Sequence, residues 1–339
     1  MNVLPLYLPQ QGCKHTCLYC NQPLIVGTRD ERGEWKARLQ SLQMSPREGE
    51  WEIAFYGGAF SAQTRQEMDA CFAAVSAFLP DRRIKGIRIS TRPDAVSDGV
   101  LIYLREQGVR TIELGVESLD DEVLRQSGRG HTADAVRDAC ARIHHYDFQL
   151  GLHLMCGLPG QSATSWQKTV RESVSMRPAM LRIAPTLVLK NTPLERLYRQ
   201  GRYIPLPLEE AISQCAYAYA WFHRNGIAVA RVGLALSDGN GDGADKVVAG
   251  PWHPSLRQEV ESRLAGEVIL SRLRQTGATF LTVHSKDYSI VLGCERRNLA
   301  FWETQTGRSI LIERDPAQPR HTVRVGDGEP ASLFYENHE

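Results

Sequence analysis

Three cysteines stand within eight residues of one another near the start of the chain, in Cys13-Lys14-His15-Thr16-Cys17-Leu18-Tyr19-Cys20. The other five, Cys71, Cys140, Cys156, Cys215 and Cys294, are scattered. Clustering of this kind argues for metal ligation, not a disulfide framework. Three thiolates on one short loop wrap one face of a soft-metal site and leave the other face open. A 4Fe-4S cluster held by three cysteines keeps one iron free for an outside ligand, whereas an electron-transfer cluster usually takes four. A structural zinc site also wants four closed ligands, and here it would have to recruit His15, which is awkwardly placed between two of the cysteines. The spacing favours the open iron-sulfur site and leaves zinc as the alternative.

Such a loop needs a scaffold, and the surrounding sequence supplies one. Short apolar runs at residues 3–8, 52–56, 86–90, 111–115, 149–155 and 180–187 read as strands. Between them, residues 66–79, 97–107, 133–145 and 162–175 have helical periodicity, several opened by Ser, Thr or Asp at a capping position. Six strands separated by helices predict parallel βαβ units wound the same way into a barrel, whose ligand face lies at the carboxyl ends of the strands. The expected fold class is therefore α/β, a partial (β/α)6 TIM-like barrel with a small C-terminal α+β appendage.

The expected division is a barrel over residues 1–230 and an accessory region over 231–339. In the latter, GNGDGAD and GPWHP loops, a helix at 256–274 and alternating segments at 278–284, 288–292, 300–303, 309–313 and 321–325 follow a helix at 208–223.

The loops after the later strands carry further chemistry. Gly57-Gly58-Ala59-Phe60 puts two glycines just past the second strand, where bare backbone can approach a small ligand closely. Ser90-Thr91-Arg92-Pro93-Asp94 ends the third strand and Glu113-Leu114-Gly115-Val116-Glu117-Ser118-Leu119-Asp120 the fourth. Their charges suit a nucleoside ligand at a barrel mouth, or equally a solvated strand end with a helix cap. Ser127-Gly128-Arg129-Gly130-His131-Thr132 reads as a Gly-rich turn, and Cys156-Gly157-Leu158-Pro159-Gly160-Gln161 as a rigid loop able to cover a flat ring.

The CxxxCxxC loop with an aromatic before its last cysteine resembles the radical S-adenosylmethionine (SAM) superfamily. TRPD, ELGVES, RGHT and GLPGQ in this order, followed by LRIAPTLVLKNTPL, resemble in particular the subgroup of the elongator catalytic subunit and its short bacterial relatives of the YhcC and YtqA type. The match covers about residues 3–207. The resemblance implies that Cys13, Cys17 and Cys20 hold a 4Fe-4S cluster whose open iron chelates SAM. One electron then cleaves a carbon-sulfur bond, giving a 5′-deoxyadenosyl radical that takes hydrogen from substrate. It implies SAM contacts from Tyr19, Gly57, Gly58, Ala59, Thr91, Glu117, Arg129, Gly157 and Leu158, and an external electron donor of flavodoxin or ferredoxin type. No catalytic side chain is assigned. Ser90 stands where relatives commonly have Glu, and Glu117 where they often have Gln, so ribose contacts are redistributed. The elongator subunit has a longer spacing between its first two cluster cysteines, and the tail here carries no acetyl-coenzyme A signature.

By this resemblance the expected function is modification of a tRNA or other RNA nucleoside. Action on a small metabolite or peptide, and a non-catalytic iron-sulfur sensor or carrier, are the alternatives. With 40 Lys and Arg against 39 Asp and Glu, the net charge of +1 provides no global pull toward nucleic acid, so RNA contact must come from a local patch. No apolar run approaches the ~20 residues that span a bilayer, and Met1 leads into Asn2-Val3-Leu4-Pro5 without a basic signal region. A cytoplasmic protein without membrane contact is expected. Cys156 is expected as buried apolar filler, GPWHP as a structural loop, and the run Arg82, Arg83, Lys85, Arg88 as a solvated face.

Overall fold

The computed structural model describes residues 2–13, 16–26, 32–44, 49–234, 236 and 243–335. His15 and most of GNGDGAD lie outside the described residues.

The strands are β1 (Asn2–Gln11), β2 (Trp51–Gly58), β3 (Ile84–Thr91), β4 (Val109–Glu117), β5 (Gln149–Cys156), β6 (Met180–Pro185), β7 (Val188–Leu189) and β8 (Ala228–Val232). The helices among them are α1 (Gln22–Val26), α2 (Arg32–Met44), α3 (Arg65–Ser76), α4 (Asp98–Glu106), α5 (Asp121–Gln126), α6 (Ala133–His145), α7 (Ala163–Ser175), α8 (Pro193–Arg199) and α9 (Leu208–Arg224). Seven strands form one sheet in the order β1-β2-β3-β4-β5-β6-β8, every neighbouring pair parallel. Strand order follows chain order without reversal, so the sheet curls as a half-barrel and does not double-wind. The expected partial barrel is present, with one more strand than the six read from the sequence.

The two faces of the sheet differ in kind. Leu6, Leu8, Ile53, Phe55, Ile87, Ile89, Ile112, Leu114, Leu152 and Ile183 all belong to the main apolar core, which includes residues of the outer helices. Phe55 lies 5.4 Å from Trp35 of α2 and 5.0 Å from Phe60, and Phe60 lies 5.4 Å from Phe72 of α3. Ring pairs of this sort contribute about 0.5–1.5 kcal/mol each beyond area burial. The alternate positions on the same strands are Glu52, Tyr56, Arg88, Glu113, His153 and Arg182. Parallel strands are usually apolar on both faces; here only the helix-covered face is.

This alternation corrects one sequence expectation. Arg83 pairs with Asp81 and Lys85 with Glu50 near the surface, but Arg88 is buried inside the barrel. Its Nε donates to Glu52 at 2.8 Å and its Nη1 to Glu113 at 2.7 Å. A run that is contiguous in sequence is split by the pleat, because neighbouring residues on a strand face opposite ways.

Several polar residues in the motifs cap the helices that follow. Thr64 forms a capping box with Glu67, and Asp120 accepts from the amides of Glu122 and Val123. Thr132, Ser162 and Thr192 cap α6, α7 and α8. Each such cap is worth ~1 kcal/mol, and each fixes how a site loop enters its helix.

Beyond the barrel the chain forms β9 (Val247–Ala249), α10 (Leu256–Thr276), β10 (Phe280–Val283), α11 (Tyr288–Leu292), α12 (Arg297–Thr306), β11 (Leu311–Arg314), β12 (Thr322–Val325) and β13 (Ala331–Ser332). A four-stranded sheet runs β11-β10-β12-β13, and α10 packs on α9 and β8. The segments 288–292 and 300–303, expected as strands, are helical. Leu299 and Trp302 are buried three residues apart, and the Trp302 indole donates to the Gly266 carbonyl of α10 at 2.9 Å. Helical spacing onto a long helix won over the local β-like composition. Among the described residues no helix is long and apolar enough to cross a membrane.

Candidate iron-sulfur and nucleoside site

The cysteine loop leaves β1 at the carboxyl end of the sheet and is held there by backbone bonds from distant parts of the chain. Leu18 donates to the Ser127 carbonyl at 3.1 Å and receives the Leu194 amide at 2.8 Å on its own carbonyl. The Asn21 side chain donates to the Lys190 carbonyl at 2.8 Å. Behind the loop, Leu24 and Ile25 of α1 pack with Leu187, Leu189, Leu236, Val247 and Trp252, while β9 pairs with β7. Trp252 of GPWHP therefore serves packing, and His253 Nδ1 accepts from the Ser255 amide within its own turn.

Cys13 is exposed, Cys17 buried and Cys20 intermediate, and all three are free thiols. Burial first, and then the charge of Cys17, push the Cys20 thiol up to about 12. Ligation must displace that proton, so loading releases acid and strengthens with pH. Cys13 and Cys17 both act electrostatically on Cys20. Among the described residues no three His, Cys, Asp or Glu side chains gather as a single metal ion would require.

Polar groups without partners surround this loop. Tyr19 OH, Ser127 Oγ, Arg129 Nε and both ring nitrogens of His131 are buried and lack hydrogen bonds. Orphans are rare in finished interiors, and several around one loop mark where a polar ligand belongs. The Arg129 guanidinium donates to Cys17 Sγ at 3.2 Å and to the Gly115 carbonyl, and stands 3.7 Å from Glu117. Glu117 Oε2 lies 2.9 Å from His153 Nδ1. Burial alone would raise the Glu117 carboxyl; the charges of His153 and then Arg129 outweigh it and hold the group below its ordinary value. Glu117 adopts φ +66, a left-handed conformation costly for a residue with a side chain.

The sequence-derived candidates fall into two sets. Cys17, Tyr19, Glu117, Arg129 and Leu158 lie close together: Tyr19 packs on the cluster of Val123, Met155, Leu158 and Ala184, and the charges of Cys17, Cys20, Glu117 and Arg129 all reach the Tyr19 hydroxyl. Ala59 is fully buried, with its backbone hydrogen-bonded to Cys13. Gly57 and Gly58 have φ of +108 and +111, a region in which only glycine is comfortable. The Gly157 carbonyl accepts from Tyr203 OH at 2.6 Å. Thr91 differs: its hydroxyl is 2.6 Å from Ser61, and Ser61 in turn donates to Ala95, so it is engaged within the loops after β2 and β3.

In the sequence RGHT reads as a turn, which gives His131 no role. Burial first, and then the guanidinium charges of Arg129 and Arg92, push its imidazole down to about 4. Between that value and the ordinary 6.5, the unfolded chain binds a proton that the folded chain refuses, so folding stability falls as pH drops through this window. The ceiling is ~3 kcal/mol at 1.4 kcal/mol per pKa unit. Urea denaturation of the cluster-free protein at pH 7, 5.5 and 4.5 is expected to show this loss, and His131→Leu to flatten it while leaving the pH 7 midpoint within error. An identical slope in the variant would remove His131 as its source.

The sequence matches the family model of the radical SAM superfamily over residues 7–172 and that of the Radical_SAM C-terminal domain over residues 178–266. The chain belongs to the radical SAM superfamily and is an enzyme of that class, whose members use an iron-sulfur cluster and SAM. Among curated proteins it is similar to a tRNA uridine(34) acetyltransferase of Dehalococcoides mccartyi, 34% identical over 128 residues, covering 37% of this chain and 28% of that protein. It is also 26% identical over 239 residues to an oxygen-independent coproporphyrinogen-III oxidase-like protein of Bacillus subtilis, covering 65% of this chain and 46% of that one. Among solved structures, the archaeal Methanocaldococcus infernus Elp3 lacking its N-terminus superimposes with a TM-score of 0.59 at 21% identity, over 81% of this chain and 63% of that one. The chain thus spans less than half the length of these two curated relatives.

Proposed function

We propose that this enzyme modifies a nucleoside in RNA, tRNA first among candidates, with a 4Fe-4S cluster on Cys13, Cys17 and Cys20. The observation that carries the reading is the similarity of the barrel to proteins named as tRNA uridine(34) acetyltransferases. When bound, the cluster and SAM supply a 5′-deoxyadenosyl radical able to take hydrogen from an unreactive carbon. The chain's own residues bind and orient. Gly57 and Gly58 expose backbone, Glu117 offers a carboxylate oxygen to a hydroxyl, and Arg129 offers positive charge to a carboxylate. Ala59 and Thr91 shape the cradle beside the cysteines, and Tyr19, Gly157 and Leu158 supply its apolar cover. We assign the barrel to residues 1–230 and an accessory role to 231–339, in a cytoplasmic protein reduced by a flavodoxin or ferredoxin.

A local feature supports an RNA partner in a chain of nearly zero net charge. From Lys190 to Arg202 there are four basic residues and one acid, and Lys190, Arg196, Arg199 and Arg202 are all exposed. The segment adjoins the site through the Leu194 to Leu18 bond. Phosphate contacts give binding that weakens steeply with salt. The second reading, a small-molecule substrate, rests on the longer match to the coproporphyrinogen-III oxidase-like protein.

Mass spectrometry of nucleosides from total tRNA and rRNA tests the choice, comparing cells with the gene, without it, and with Cys17→Ala. A nucleoside absent from both the deletion and the Cys17→Ala strain is the expected result. Three matching profiles would move the assignment to metabolites.

A further inference from the structure

The concave face of the sheet carries polar side chains that neither the helix caps nor the nucleoside site uses. Its end away from the cysteine loop is closed: Glu52, Arg88 and Glu113 are buried and paired with one another, and Thr111 donates to Glu52 at 2.6 Å. Toward the loop it opens. His153 and Arg182 are direct register partners on β5 and β6, with side chains 31% and 21% exposed. Tyr7 and Tyr56 are register partners on β1 and β2, both half-buried, with ring centroids 6.4 Å apart. The Arg182 guanidinium sits 4.6 Å over the Tyr56 ring and donates to its hydroxyl.

The charge state of this wall indicates what it holds. Glu113 lies 3.1 Å from Arg182 Nε and accepts from Tyr56 OH at 2.9 Å, so Arg182 is already neutralised and makes a poor trap for a free carboxylate or phosphate. Its remaining N–H groups can still donate to a neutral carbonyl of a ligand. His153 Nδ1 faces Glu117 at 2.9 Å, which leaves Nε2 as the nitrogen available to another group. Tyrosine faces and a stacked guanidinium favour a flat ring.

We propose that His153, Arg182 and the Tyr7–Tyr56 pair hold the substrate's neutral planar heterocycle, an RNA base turned out of its stack, inside the half-barrel. This rests on the RNA reading above and names the residues that recognise the base. Enzymes that act on a base must extract it, and they read its exposed edge by hydrogen bonds and stacking. Phosphate contacts outside the barrel supply the affinity, so the wall governs what happens after binding.

The test uses the reconstituted enzyme with SAM, a reductant and tRNA from the deletion strain. It reads two products, modified nucleoside and 5′-deoxyadenosine, together with tRNA affinity. His153→Gln, Arg182→Lys and Tyr56→Phe are each expected to lower the ratio of nucleoside product to 5′-deoxyadenosine at least tenfold, with tRNA affinity changed less than threefold. Tyr7→Leu is the variant to rely on if the others fold poorly, because no hydrogen bond of its hydroxyl would be lost among the described residues. Unchanged ratios in variants that fold, against an active wild type, would overturn the wall while leaving the RNA reading intact. A wild type that makes no RNA product, but whose 5′-deoxyadenosine formation is stimulated by a carboxylated metabolite, would fail the RNA reading and the base assignment with it.

Discussion

Glu113→Leu is expected to cost about 3–5 kcal/mol of folding stability, since removing one partner of a buried ionic network leaves the others uncompensated. Glu113 is 4% exposed and takes hydrogen bonds or ion pairs from Arg88, Arg182 and Tyr56. Arg88 keeps Glu52 after the substitution, and Arg182 can recruit some water, so the lower end of the range is the better expectation. Against a typical total of 5–15 kcal/mol this is a large fraction. Glu113→Gln retains acceptor capacity and should lose less. Adding Arg182→Met to Glu113→Leu should recover part of the loss, because the uncompensated charge goes with its partner. Urea midpoints at constant m-value decide it; a loss below 1 kcal/mol for Glu113→Leu would mean that the interior is wet enough to screen these charges.

The second large effect is steric. A Cβ on Gly57 would stand 2.1 Å from the Leu8 carbonyl oxygen and 2.9 Å from its carbon, at φ +108. Backbone cannot swing aside as a long side chain can, so β1 and β2 must separate just where β1 feeds the cysteine loop. We expect Gly57→Ala to bring the iron and sulfide retained after anaerobic reconstitution down to background. Gly226→Ala is the control. It too has a positive φ, +70, but a Cβ there meets nothing within 4 Å, so it pays only the conformational cost of ~1 kcal/mol and should load iron normally. Normal loading of Gly57→Ala would show that the strand end has slack.

Local chemistry was readable in the sequence and nonlocal chemistry was not. The cysteine triplet, the double glycine and the capping residues each act within a few positions of themselves, so spacing alone reveals them. Arg88 shows the limit. As one member of Arg82, Arg83, Lys85 and Arg88 it looks like surface, and only pairing with Glu52 and Glu113, 36 and 25 residues away, makes its burial tolerable. The period-two signal was present in Glu52-x-x-x-Tyr56, Arg88, Glu113 and Arg182, polar residues alternating with Ile and Leu inside parallel strands, and it marks an interior that is solvated or ligand-bound. The Tyr288–Leu292 segment is a short apolar run, for which composition does not separate strand from helix; contact with α10 decides. The buried orphan His131 could not be found from sequence at all, because its lack of partners is a property of three dimensions.

The clamps on the cysteine loop also set a timetable. The cysteine loop is synthesised well before what holds and covers it, which comes from Ser127, Lys190, Leu194 and Trp252. At 5–20 residues per second, Trp252 follows Cys20 by roughly 10–50 s. Throughout that interval the three thiols are on a tethered but uncovered loop, open to oxidation and to stray metals. For the cluster proposed on this loop, insertion is expected to follow completion of these clamps, and a cell making the chain quickly under oxygen should accumulate protein that is folded in its sheet and empty at its mouth.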